Sequence, residues 1–145
     1  PLPIDWSAAT CHSHNKHVYS VSSPADPRNI TAEPGQNVSL PCRAPDSNLI
    51  IAIEWSRSEL GSKYVFLFRN DQIDLENQHL SFKNRVHLQE SQLKVGDMSL
   101  FLRNVTTEDK GTYECRFIQT EANKRKETRL YINLDVVSTP GEFCL

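Results

Sequence analysis

The chain has 145 residues, a net charge of −2, and 23% charged against 38% hydrophobic residues. That length allows one domain with extensions, and the near-neutral charge gives no electrostatic ground for a nucleic-acid partner. The apolar runs, such as Leu49 to Ile53, are too short to cross a bilayer, and no apolar signal segment follows Pro1, so the chain reads as a mature or trimmed piece.

Residues 1–26 show no period of either kind and read as an N-terminal extension, disordered or appended. Within them, "CHSHNKH" spaces Cys11, His14 and His17 closely, with His12 adjacent. Zinc takes such ligands, but structural sites draw a second pair from elsewhere, and His79 and His87 supply none. An unstructured leader is expected there, with no metal and no cofactor.

From Asn29 the pattern changes to short runs rich in β-branched and aromatic residues, broken by turn signals. That spacing predicts an all-β sandwich or barrel over residues 27–137. "NITAEPG" predicts an edge strand. "NVSLPC" alternates, with Val38, Leu40 and Cys42 on one face. "LIIAIEWSR" sets Ile51, Ile53 and Trp55 against Ala52, Glu54 and Ser56. "YVFLFRN" is apolar on both faces. "QIDLENQHLSFKN" holds at most one short strand, and "RVHLQ" follows. "MSLFLRNV" turns Leu100, Leu102 and Val105 inward, and "GTYECRFIQ" does the same with Tyr113, Cys115 and Phe117. "TEANKR" is a hairpin turn, and "ETRLYINLDV" closes with Leu130, Ile132 and Leu134 on one face. Nine candidate strands result. Residues 138–145 read as a stalk or an appended tail.

There are four cysteines, without a C-x-x-C pair, and three N-x-S/T sequons, at Asn29, Asn37 and Asn104. Together they favour an oxidising, secretory compartment. Cys42 and Cys115 both face inward, with Trp55 between them in sequence, which suits a disulfide joining two packed sheets with an indole against it. Cys11 and Cys144 lie at opposite chain ends and are expected to pair with each other or with another chain. In "EDKGTYECRF", Tyr113 stands two residues before Cys115, as in a tyrosine corner. Gly111 allows a sharp entry into the strand. Asp109 is expected to pair with Arg85.

Cys42, Trp55, Arg85, "SLFL" and Asp109-x-Gly111-x-Tyr113-x-Cys115 together resemble a V-type immunoglobulin domain. "EWSRSELGSKYVFLFRNDQ", "NRVHL" and "DMSLFLRNVTTEDKGTYECRF" are more narrowly similar to the membrane-distal domain of the butyrophilin, myelin-oligodendrocyte-glycoprotein and costimulatory-ligand group. One departure is the missing Phe-Gly-x-Gly after the last hairpin, which sets the chain apart from antigen receptors. The resemblance implies a two-sheet sandwich. It also implies a place on the extracellular side of the plasma membrane, or secretion, and a membrane-tethered full-length protein.

In the resembled group, partners dock on the open sheet written GFCC′. Alternation assigns its outward residues as Glu54, Ser56, Phe66, Phe68, Glu114, Arg116, Ile118, Arg129, Tyr131 and Asn133. Aromatics, an isoleucine and arginines suit an interface. The implied partner is another cell-surface immunoglobulin-superfamily protein in immune co-signalling, as ligand or receptor. The alternatives are adhesion through a second copy of the chain or a different one, and a glycan or virus receptor. A sialic-acid site would use Arg116 as its carboxylate clamp. The basic run from Asn123 to Arg129 reads as a solvated hairpin tip. Glycans at the three sequons are expected to leave the GFCC′ face bare. No G-x-S-x-G, H-E-x-x-H or glycine-rich phosphate loop occurs, so the chain reads as a non-enzyme.

Overall fold

The computed structural model describes residues 28–138. Nine strands occur among them: β1 (Asn29–Ala32), β2 (Val38–Leu40), β3 (Leu49–Ser56), β4 (Phe66–Arg69), β5 (Gln72–Ile73), β6 (Val86–His87), β7 (Leu100–Leu102), β8 (Gly111–Glu121) and β9 (Lys124–Val136). Six of them form one sheet in the order β1-β9-β8-β3-β4-β5, and β2-β7-β6 form the other. The two faces meet over a core of Leu40, Ile53, Trp55, Leu100, Leu102, Tyr113, Phe117 and Ile132, each at most 1% exposed. The expected disulfide joins Cys42 to Cys115 across this core, with Cα atoms 6.5 Å apart. The Trp55 indole N–H donates to the Met98 carbonyl at 3.1 Å, so the buried ring leaves no orphan donor.

The chain turns tightly where short side chains, mostly Asn and Asp, accept positive φ. Ala122 and Asn123 close β8 onto β9, and Asn70 and Asp71 close β4 onto β5, all at φ between 49° and 66°. The basic run therefore is not a hairpin tip: Lys124, Arg125 and Lys126 lie on β9 itself, paired with Glu121, Thr120 and Gln119.

The structure reverses the expected direction of two aromatic side chains. Phe66 pairs with Trp55 and Phe68 with Ile53, and paired residues share a face. Both phenylalanines therefore point inward: Phe66 is 4% exposed, and Phe68 packs against the core. They line a cavity of about 400 Å3 at the open edge between β4–β5 and β6. Leu67, opposite Glu54, takes the outward side and is nonetheless fully buried. Because the segment is apolar from Val65 through Phe68, alternation held no signal, and cross-strand register decided the direction.

A bulge in β3 produces a second reversal. Ile50 pairs with Gln119 and Ala52 with Ile118, which leaves Ile51 as the extra residue. Ile50, not Ile51, packs against the core. The Cys11 and Cys144 pairing, the histidine cluster, the N-terminal extension and nearly all of the tail lie outside the described residues.

Candidate docking face

The outward side of the six-stranded sheet is the candidate site. Register places Glu54, Arg116 and Arg129 in one row across β3, β8 and β9, and Ser56, Glu114 and Tyr131 in the next. Ile118 and Glu127 face each other in a third row, with Ala52 beside Ile118.

These side chains hold one another. Arg116 bonds the Glu54 carboxylate at 2.8 Å and also the Glu127 carboxylate. Arg129 reaches Glu127 at 3.2 Å and Glu114 at 2.9 Å. The Tyr131 hydroxyl donates to Glu114 Oε1 at 3.2 Å, and Ser56 Oγ lies 3.4 Å from Oε2. Five charges thus run in a connected line, Glu54–Arg116–Glu127–Arg129–Glu114. The hydrogen bond from Arg116 holds the Glu127 carboxyl below its usual range, and the same bond raises Arg116. Arg129 is raised in turn by its bond to Glu114. Single exposed pairs stabilise little; here the network fixes the directions of five long side chains.

Two recesses flank the line. One, of about 690 Å3, is lined by Leu49, Ile51, Ala52 and Ile118 together with Arg69 and Arg125. Leu49 is 67% exposed at its edge. The other, of about 650 Å3, is lined by Ser56, Lys63, Tyr64, Thr112, Glu114 and Tyr131. An apolar patch beside oriented charges is the make-up of a protein-docking surface.

The signature residues lie behind this face. Tyr113 hydroxyl donates to the Asp109 carbonyl at 2.5 Å. Arg85 spans Asp109 with both guanidinium nitrogens, at 2.5 and 3.3 Å. Gly111 has φ +149°, and a Cβ there would meet Arg57 Nη2 at 2.8 Å.

The immunoglobulin V-set domain model matches residues 25–133. This chain belongs to the immunoglobulin V-set family. The chain is 28% identical over 116 residues to human "Butyrophilin subfamily 2 member A2", covering 79% of this chain and 22% of that protein. It is 34% identical over 111 residues to the mouse "V-set domain containing T-cell activation inhibitor 1", covering 75% of this chain and 37% of that protein. The chain therefore spans well under half the length of these relatives. Among solved structures, the human B7-H4 IgV-like domain superposes with a TM-score of 0.62 at 27% identity, over 73% of this chain and 90% of that one. In V-set lettering, β9, β8, β3 and β4 are strands G, F, C and C′.

Glu54, Ser56, Glu114, Arg116, Ile118, Arg129, Tyr131 and Asn133 share the GFCC′ face of this V-set domain. Phe66 and Phe68 do not. Sequence reasoning missed Glu127, which parity with Arg129 places on the same face, and Leu49 and Ile51, which the bulge displaces. It also missed Arg57, whose guanidinium donates to the Glu108 and Lys110 carbonyls and lies 5.0 Å from the Tyr113 ring centroid.

The sequons divide between two places. Asn104 N donates to Asn37 Oδ1 at 3.0 Å, beside β7 and β2. Asn29, expected with the other two to leave the GFCC′ face bare, instead sits on β1, hydrogen-bonded into the six-stranded sheet opposite Asn133. No helix of the described residues is long and apolar enough to cross a membrane, and no metal-binding group of three or more His, Cys, Asp or Glu occurs among them.

Proposed function

We propose that residues 27–137 form the non-enzymatic binding module of a cell-surface or secreted protein. It serves immune co-signalling, as ligand or receptor, by docking its GFCC′ face on a partner immunoglobulin domain. The observation that carries this reading is the connected line of five charges beside an apolar patch of exposed Leu49 and half-buried Ile51 and Ile118. Such a surface desolvates an apolar centre while oriented charges select the partner. The matches to a butyrophilin and to a T-cell activation inhibitor support the immune setting. Contacts made by one small domain are weak singly and gain strength from many copies on a membrane.

Adhesion through a second copy is the other reading. It is favoured by the mixed sign of the line, three glutamates and two arginines, which lets the face meet itself around a two-fold axis. Sedimentation equilibrium of the glycosylated chain, with and without reductant, separates the two. A reversible dimer lost in Tyr131→Arg supports self-pairing. A monomer whose multivalent form stains immune cells, with staining lost in Tyr131→Arg, supports co-signalling. Cell staining unchanged by Tyr131→Arg and by Ile118→Asp removes the face from both readings.

A further inference from the structure

The three sequons lie on two surfaces, Asn37 beside Asn104 on one and Asn29 on the sheet that carries the docking face. β1 runs parallel to β9 with Asn29 opposite Asn133. The Asn133 side-chain amide donates to Asn29 Oδ1 at 3.1 Å, and Thr112 Oγ donates to Asn133 Oδ1 at 2.7 Å. Asn29, Asn133 and Thr112 thus form a polar row across β1, β9 and β8. Thr112 and Asn133 alternate with Glu114 and Tyr131 on the same outward side. Strand geometry puts Tyr131 about 8 Å from Asn29, one strand over and two residues along.

We propose that Asn29 is an N-glycan acceptor whose glycan stands on the GFCC′ face and restricts what can reach it. This deepens the docking reading above and rests on it. Asn29 and Thr31 are both exposed, and short amide and hydroxyl side chains, those of Asn133 and Thr112, continue the row from the asparagine. A bulky, hydrated glycan there covers the margin that runs through Asn133 to Tyr131. Glycans at Asn37 and Asn104 arise beside strands of the other sheet and do not reach that margin. Occupancy of one sequon out of three therefore controls the width of the available surface.

The test needs no natural partner. The chain is secreted from a glycosylating cell line as wild type, Thr31→Ala, Thr31→Ser, Asn37→Gln and Asn104→Gln. Peptide mass spectrometry reads occupancy, and hydroxyl-radical footprinting reads the oxidation rate of Tyr131 against His87 on the other sheet. Thr31→Ala deletes the sequon and leaves the Asn29–Asn133 bond in place, and Thr31→Ser keeps the sequon. The expected result is an occupied Asn29 in wild type and Thr31→Ser. Tyr131 oxidises severalfold faster in Thr31→Ala, and in wild type trimmed by endoglycosidase to a single sugar, with His87 unchanged. An empty Asn29 in wild type, equal Tyr131 rates, or the same acceleration in Asn37→Gln overturns the proposal. Failure of the docking reading shows separately, as cell staining indifferent to Tyr131→Arg.

Discussion

Arg85 and Asp109 meet in a two-pronged ion pair that closes the base of the sandwich. The remaining guanidinium N–H groups donate to the carbonyls of Ser81 at 2.6 Å, Arg103 at 3.2 Å and Asn104 at 3.2 Å. Asp109 Oδ2 also accepts the Thr106 N–H at 2.9 Å, and the Asp109 side chain is 6% exposed. One planar fork thus ties the β5–β6 and β7–β8 connections to a buried carboxylate, which a lysine cannot copy.

Removing one partner strands the other. Arg85→Met leaves a buried carboxylate and three carbonyls without their donor, and is expected to cost about 3 kcal/mol. Arg85→Lys recovers part of that through one charge without the fork. Urea unfolding of the three proteins checks the order.

Gly111→Ala is expected to destabilise by about 1–3 kcal/mol. The backbone there holds φ +149°, and the new methyl would press on Arg57 Nη2 at 2.8 Å. Arg57 cannot swing aside freely, because the same nitrogen donates to the Lys110 carbonyl at 2.8 Å. An Arg57→Ala, Gly111→Ala double variant relieves the clash and keeps the backbone strain. A double-mutant cycle measures the difference.

Burial raises the Tyr113 hydroxyl to about 12, above its ordinary value of 10.0. The folded state therefore holds this proton more tightly than the unfolded chain. The associated stability is fully present below pH 10 and is lost as pH rises toward 12. The loss should amount to about 2–3 kcal/mol across that window. In Tyr113→Phe the corresponding part of the pH slope should vanish, as urea midpoints at pH 9, 10 and 11 would show.

Two aromatic substitutions should separate folding from docking. Phe66→Ala empties a buried site and is expected to cost about 3–5 kcal/mol. Tyr131→Arg, on a residue 51% exposed, is expected to stay within about 0.5 kcal/mol in stability while abolishing cell staining. Thermal melts and staining of the same preparations check both. A Tyr131→Arg protein that melts early would return that residue to a structural role.

Legibility followed the physics of each segment. β8 alternates between apolar and polar residues from Tyr113 to Phe117, so Tyr113, Cys115 and Phe117 could be placed inward from sequence and Glu114 and Arg116 outward, with Ile118 following by parity. The disulfide and Trp55 followed from the same parity. β4 has no polar residue before Arg69, so nothing in its sequence tells one face from the other; the pairing with Trp55 does. The bulge at Ile51 adds one residue inside a run of isoleucines, where a slip of one leaves no trace in composition. β1 joins the six-stranded sheet through hydrogen bonds to β9, a choice between two sheet edges that short-range pattern does not encode. Glu127 was hidden because a run of charges reads as a loop until the hairpin is seen to turn at Ala122 and Asn123.

The parallel pairing of β1 with β9 also bears on mechanical load. Asn29 lies opposite Asn133 and Ala32 opposite Val136, so the first and last described strands run side by side in one direction. Tension applied between the two ends pulls these strands lengthwise past each other. The hydrogen bonds between them are then loaded in shear and resist together, whereas an unzipping geometry would break them in turn. A domain stretched between two moving surfaces is held by the seam whose rupture needs the greatest force, and this chain places that seam where the pull arrives first.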